Sequence, residues 1–429
     1  MSNIATVNAC IILIAVLLVS TYTISPSAPA TAQLQTIVER DLTIELDEQV
    51  ITNAKLTLPA VGAGPFPAVL LIHGSGEADM DGYIPPELSG TENGSRIFLQ
   101  IAEYLSERGF IVLRYDKRGI GENATILNPD VFGNATVQQL QRDAEKALDV
   151  LLRQPEVNKE EITLLGVSEG TTIAPRIAVQ RPDDVKNIVL MGAASPTLYD
   201  ITYANLVNRT ILFGRNTWDD NQNGLLSLQE VLAHPGAYLT VPSSSVATTS
   251  DNFTSSDPHI DGTDDNNNNS TTTATAASTS SALHQQEPQQ QQWYPGLDAN
   301  NDTLVDIDQE LTPFAIALFG QMATSDPWLQ SHREIAPNIE TIESLSPRTS
   351  VLILQGEEDN QTYLEQALLL EQKMTEMEHE DHTLITYAGL GHTFHPAQGL
   401  LQLLGPIEDY VLRDLHSWLK DPDRMSFSF

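Results

Sequence analysis

A single cysteine, Cys10, occurs in 429 residues. It lies in an apolar N-terminal segment, so the rest of the chain has no disulfide, thiolate metal site or cysteine nucleophile to call on. Positive charge is scarce too, with 22 Lys and Arg against 57 Asp and Glu, a net charge of −35. Repulsion on that scale argues against nucleic acid or an anionic membrane surface as partner. It favours solubility and the binding of cations. The basic residues are also unevenly spread: none precedes Arg40, and none falls between Asn216 and His332.

What the N-terminus does have is an apolar run from Ala9 to Val19, then a small-residue stretch ending Ala30-Thr31-Ala32. That is the core and cleavage site of a secretory signal over residues 1–32, although its usual positive start is missing. The rival reading is an uncleaved anchor, since Ile4 to Ile24 carries no charge and is just long enough to span a bilayer. Either reading predicts an exported body, secreted or at the cell surface, with membrane contact only if the anchor stays.

Beyond the signal, DLTIELDEQV and ITNAKLTLPA alternate like paired antiparallel strands. Short unbroken apolar runs follow: AVLLIH, FIVLRYD, EITLLGVS, VKNIVLMGA, SVLILQG and, later, HTLITYAG. Such runs suit strands buried on both faces of a parallel sheet. Helical patterns lie between them, as in VQQLQRDAEKALDVLLRQ, where Leu140, Ala144, Leu148 and Leu151 recur at helical spacing. The alternation predicts a doubly wound, mostly parallel α/β sheet. It lapses over 201–347, which reads as an insertion between core segments 33–200 and 348–429. Within it, residues 243–292 are low in complexity and too poor in apolar residues to offset the entropy of ordering.

Gly166-Val167-Ser168-Glu169-Gly170 follows directly on the strand EITLL. A G-x-S-x-G turn between strand and helix is so tight that side chains at the glycines would clash, and it lifts the serine hydroxyl clear of the sheet. A serine needs a base, and His392 in GLGHTF sits in a glycine-flanked loop after the last strand, with His395 as rival. An imidazole needs a carboxylate, and QGEEDN supplies Asp359, with Glu357 and Glu358 as substitutes. An oxyanion needs donors. The N–H of Glu169 and one from His73-Gly74-Ser75-Gly76, placed at Ser75, would serve.

HGSGEADMDG, FLQIAEYLSERGFIVLRYDKRGIGE, LLGVSEGTTIAP, GEEDNQ and GLGHTF together resemble the serine-aminopeptidase-like branch of the α/β-hydrolases, which includes exported carboxylesterases and relatives of dienelactone hydrolases. The resemblance covers about Pro67–Gly192 and Thr349–Trp418, and implies an α/β-hydrolase sheet with a serine esterase mechanism at Ser168, Asp359 and His392. Val167, and Glu77-Ala78-Asp79-Met80, depart from the residues usual there, which bears on substrate preference. In RYDKRGIGE, Arg114, Asp116 and Arg118 read as braces beneath the nucleophile loop.

The insertion holds a different signal. DDNQNGLLSLQE satisfies the calcium-loop pattern D-x-[DN]-x-[DN]-G-x5-E, with Asp219, Asn221, Asn223, Leu225 (through its carbonyl), Ser227 (through a water) and Glu230 as ligands. A second loop from Asp298 offers Asn300, Asp302, Leu304, Asp306 and Gln309, but Thr303 stands where glycine belongs and Gln309 where the chelating glutamate belongs. Asp308 or Glu310 are possible replacements for the latter. These loops read as an EF-hand-like pair, split by the low-complexity tract and forming part of a lid held by structural calcium. The sequence as a whole predicts an exported serine hydrolase acting on a small ester, with a short peptide as alternative substrate. A non-enzymatic calcium-dependent surface protein stands as a third reading.

Overall fold

The structure is a computed structural model that describes residues 36–234, 239–242, 291–397 and 402–421. The signal or anchor segment and nearly all of the low-complexity tract lie outside the described residues. The described residues form one compact unit, those of the insertion included.

Eight strands make the main sheet: β1 Ile37–Asp47, β2 Val50–Pro59, β3 Phe66–Ile72, β4 Ile111–Tyr115, β5 Val157–Val167, β6 Asn187–Met191, β7 Ser350–Gly356 and β8 His382–Tyr387. Their order is β1-β2-β4-β3-β5-β6-β7-β8. Only β2 runs against its neighbours; every pair from β4 to β8 is parallel. The chain goes from β3 outward to β4, then returns across β3 to start β5. Direction therefore reverses between β3 and β5, and ligands of open α/β sheets bind beyond the carboxyl ends of strands at such a point.

Helices cover both faces, which is why the inner strands are apolar without alternation. On one face α2 (Val137–Leu152), α3 (Gly170–Gln180) and α5 (Leu364–Glu376) share a core with Ala68, Leu70 and Ile72; on the other, α1 (Ile97–Ser106) and α6 (Asp409–Lys420) share one with Val69 and Leu71. A capping box at Thr136 and Gln139 starts α2 where the sequence turns periodic. The α4 helix (Pro327–Arg333) belongs to the segment read as insertion, yet the chain from there on is bound to the core. Asn338 donates to Thr171 O and Ala194 O, and Ile342 and Leu345 join the main core. Its helices are too short, at seven and four residues, to show a period in the sequence.

The rest of the insertion has its own small core of Trp218, Leu226, Val231, Leu239, Leu297, Val305, Ile307 and Leu311. Leu225–Ser227 pairs antiparallel with Leu304–Asp306, setting Leu226 opposite Val305 with both fully buried. The two oxygen-rich loops are therefore back to back. Thr240–Pro242 pairs with Gln291–Trp293, so the residues that flank 243–290 are neighbours on paired strands.

Candidate active site

Ser168 stands at the tip of the turn between β5 and α3 with φ +53, a left-handed backbone unusual for a side chain with a Cβ. The flanking glycines are required by space. A Cβ on Gly166 would lie 2.2 Å from Gly170 O, and one on Gly170 would lie 2.3 Å from Ile72 O. The turn is anchored by Ser168 N donating to Met191 O at 2.9 Å and by Thr171 Oγ1 donating to Ser168 O at 2.6 Å. It sits at the N-terminus of α3, where the helix dipole favours negative charge.

Asp359 follows β7 and His392 follows β8. They meet through His392 Nδ1 and Asp359 Oδ2 at 2.8 Å, both buried. The carboxylate also accepts from Gln355 Nε2 at 3.0 Å, Thr362 Oγ1 at 2.9 Å, and the N–H groups of Gln361 and Thr362 at 2.8 and 3.0 Å. Burial works against its charge, but His392 and those N–H groups outweigh burial and hold the carboxyl below its ordinary range. The histidine loop is tied to the acid loop by Glu358 N donating to Leu390 O. The rivals are engaged elsewhere: His395 Nδ1 faces Pro406 O, and Glu357 accepts from Thr386.

Ser168, His392, Ser75 and Gly76 line one cavity of about 590 Å³, whose apolar wall includes Tyr83, Ile84, Leu88 and Phe98. The loop after β3 thus lies beside the serine, as the pairing of Ile72 with Gly166 requires. His73 is buried against Phe98 and Tyr115, and burial first, then the Lys117 charge, push its imidazole down to about 3. It is neutral at any working pH. A second cavity of about 500 Å³ adjoins Ser75 and Gly76 on their other side, walled by Phe132, Leu140, Pro327 and Trp328.

Sequence reasoning missed a buried polar hub beneath the serine. The Glu169 carboxylate accepts from Lys117 Nζ at 2.9 Å, from His332 Nε2 at 2.9 Å and from Trp328 Nε1 at 2.6 Å. Burial would raise its pKa, but the Lys117 charge and the His332 hydrogen bond take it down to about 2. Arg114 instead pairs with Glu39 and Asp81, Arg118 with Asp143 and Asp47, and Asp116 accepts from Met80 N. In RYDKRG it is therefore Lys117, between the expected braces, that reaches the nucleophile turn. Its place directly after a strand next to β3 was the available signal. The insertion touches the loop of Asp359, since Asn205 donates to Gln361 O and Arg209 to Asn360 O.

In the first oxygen-rich loop Asp219 accepts from Asn223 N and Gly224 N, Asn221 from Asn223 N, and Asn223 from Leu225 N. Glu230 reaches back to Asn221, Ser227 N and Ser227 Oγ. The second repeats this with Asp298, Asn300 and Asp302, and Thr303 at φ +75 takes the bend that Gly224 takes at φ +81. It differs at its end. Gln309 lies outward against Asp306, while Glu310 turns in and accepts from Ala299 N, Asn300 N and Asp306 N. The turn Ile307–Leu311 is π-helical, and its extra residue per turn moves the inward position one place along. Glu310 thus holds the place assigned from spacing to Gln309. Among the described residues no group of three or more His, Cys, Asp and Glu side chains is arranged to hold a metal, and the first loop has only Asp219 and Glu230 of that kind among its six expected ligands.

A mostly parallel eight-stranded sheet with helices on both faces, bearing its site beyond the carboxyl ends of the strands, fits an α/β-hydrolase fold. The family model described as serine aminopeptidase, S33 (Hydrolase_4) matches residues 88–292. Esterase EstD of Thermotoga maritima is 35% identical over 147 residues, 34% of this chain. The match spans only 31% of that relative's length. Among solved structures the chain is similar to a highly thermostable carboxyl esterase from Bacillus coagulans, at 14% identity over 89% of this chain and 98% of that one, with a TM-score of 0.48. Est1E from Butyrivibrio proteoclasticus is similar at 12% identity over 89% and 96%, with a TM-score of 0.43.

Proposed function

We propose that the protein is a serine hydrolase that cleaves carboxylic esters of small or medium size through an acyl-enzyme on Ser168. The observation that carries this is the buried Asp359–His392 pair at 2.8 Å opening on the same cavity as a serine held at φ +53. With Nδ1 bound to Asp359, His392 has Nε2 left to take the proton as Ser168 Oγ bonds to the ester carbon. The oxyanion forms toward the N–H groups of Glu169 and Ser75. On collapse the C–O bond to the alcohol breaks, and His392 returns the proton to the leaving oxygen. Water then repeats the sequence on the acyl-enzyme, freeing the acid and Ser168.

A fluorophosphonate probe should label the wild-type chain and not Ser168→Ala, which should also lose turnover of a p-nitrophenyl butyrate ester by at least about 10³-fold. Labelling that survives the substitution would remove Ser168 from this role. The matched family's description favours a second reading, an aminopeptidase or acyl-peptide hydrolase. An aminoacyl anilide turned over faster than the ester would put that reading first.

Two further parts belong to the proposal. The chain is exported by its N-terminal segment, and calcium holds the two oxygen-rich loops. The donors fit a hard cation: carboxylate, amide and carbonyl oxygens throughout, with Glu230 closing the first loop and Glu310 the second. Bound there, the ion would supply positive charge to an acidic insertion and take no part in the chemistry at Ser168.

A further inference from the structure

Lys117 lies just beyond β4, buried, and its ammonium group meets three acceptors: Gly74 O at 2.9 Å, Gly76 O at 3.3 Å and Glu169 Oε2 at 2.9 Å. An ammonium has three protons, so its donor capacity is filled. Two of those acceptors belong to the loop after β3, and the third to the residue that follows Ser168. Lys117 therefore ties together both chain segments assigned as oxyanion donors.

The covalent geometry makes this contact directional. Gly74 C=O and Ser75 N–H are the two ends of one peptide unit, and in a trans peptide they point in opposite directions. Whatever holds Gly74 O on the Lys117 side turns Ser75 N–H to the other side. On one side Gly74 abuts the Ser168 turn, where a Cβ would meet Ser168 Cβ at 3.2 Å and Val167 O at 3.4 Å, whereas Gly76, at φ +82, has nothing within 4 Å of where a Cβ would stand. Neither glycine has a side chain to pin the intervening peptides, so their orientation depends on the hydrogen bonds their carbonyls accept.

We propose that Lys117 is a positioning residue of the oxyanion hole, aiming Ser75 N–H at the ester carbonyl oxygen by holding Gly74 O, with Glu169 keeping the ammonium in place. The inference rests on the reading of Ser168 as nucleophile and of Ser75 and Glu169 as oxyanion donors. Lys117 touches no reacting atom. Its effect is confined to the interval in which negative charge develops on the carbonyl oxygen, so it acts on kcat and leaves substrate affinity alone.

The test uses the full chain and a p-nitrophenyl ester, with a trifluoromethyl ketone as probe of the oxyanion, because serine addition to the ketone makes an anionic adduct. Lys117→Met should lower kcat about 100-fold, the loss typical of one oxyanion donor, with KM within threefold of wild type. Ketone affinity should fall by a similar factor. Since that substitution strands the Glu169 charge, the paired Lys117→Met/Glu169→Gln variant removes both charges and should melt near wild type while keeping both losses. Lys117→Arg, which retains charged donors, should recover at least tenfold of the kcat. A paired variant that regains kcat and ketone affinity along with its melting temperature would show Lys117 to be structural only, and the inference would fall. If the wild-type chain neither turns over the ester nor reacts with a fluorophosphonate at Ser168, the hydrolase reading itself fails first.

Discussion

At Glu169 the backbone and the side chain face different tasks. Its N–H follows Ser168 at the head of α3, while its carboxylate collects Lys117, His332 and Trp328 in the interior. A carboxylate so placed is held ionised, and the consequence can be measured. Its folded pKa, about 2, lies below the ordinary 4.5. The stability it contributes is therefore fully present above about pH 4.5 and lost as the pH falls toward 2, on the order of 3 kcal/mol for a shift of this size. Urea denaturation of wild type and Glu169→Gln at stepped pH should show a gap that is constant near neutrality and narrows through that window. A gap independent of pH down to 2 would mean that the carboxylate is not charged in the fold. The sequence marked this residue only for its N–H, because a side chain's partners on distant segments leave no trace in local spacing.

At the scale of the element, the two oxygen-rich loops are alike in sequence, and the strand pairing of Leu226 with Val305 sets them side by side. Their spacing places like residues at like turns, and Thr303 bends as Gly224 does although it lacks glycine's freedom. Position twelve was the exception. Counting along the chain assumes a regular helix after the loop, and the π-helical turn Ile307–Leu311 breaks that assumption. Melting curves with calcium and with chelator can separate the two candidates. A site filled to about a hundred times its dissociation constant should add about 3 kcal/mol of stability to the calcium form. Glu310→Gln should diminish that calcium-dependent rise, and Gln309→Ala should leave it as it is. If neither substitution nor chelation moves the curve, calcium has no place in this insertion.

For the whole molecule the arrangement of the insertion matters most. Its first helical segment leans on the acid loop through Asn205 and Arg209, and α4 reaches the underside of the nucleophile turn through Trp328 and His332. Between these two supports in sequence lies the low-complexity tract, and Pro242 and Gln291, which flank residues 243–290, are paired neighbours. Replacing residues 243–290 with a four-residue glycine-rich turn should therefore close a hairpin, and between three and four halvings of loop length remove about 2 kcal/mol of closure cost. Esterase turnover should stay close to that of the intact chain, and the melting temperature should rise. A shortened chain that folds but has lost turnover would assign the tract a part in the site.

The sequence by itself determined the sheet and the order of the groups along it. Unbroken apolar runs can be buried only between two helical layers, and the turn at Ser168 tolerates only glycine at its flanks. It also determined the bend of the oxygen-rich loops, because their side-chain to backbone hydrogen bonds are local. Tertiary structure alone decided which of QGEEDN's carboxylates meets His392, how far the insertion joins the core, and that Lys117 joins the loop after β3 to Glu169. Those contacts link residues tens to hundreds of positions apart, and their geometry depends on loops whose shape is set by packing.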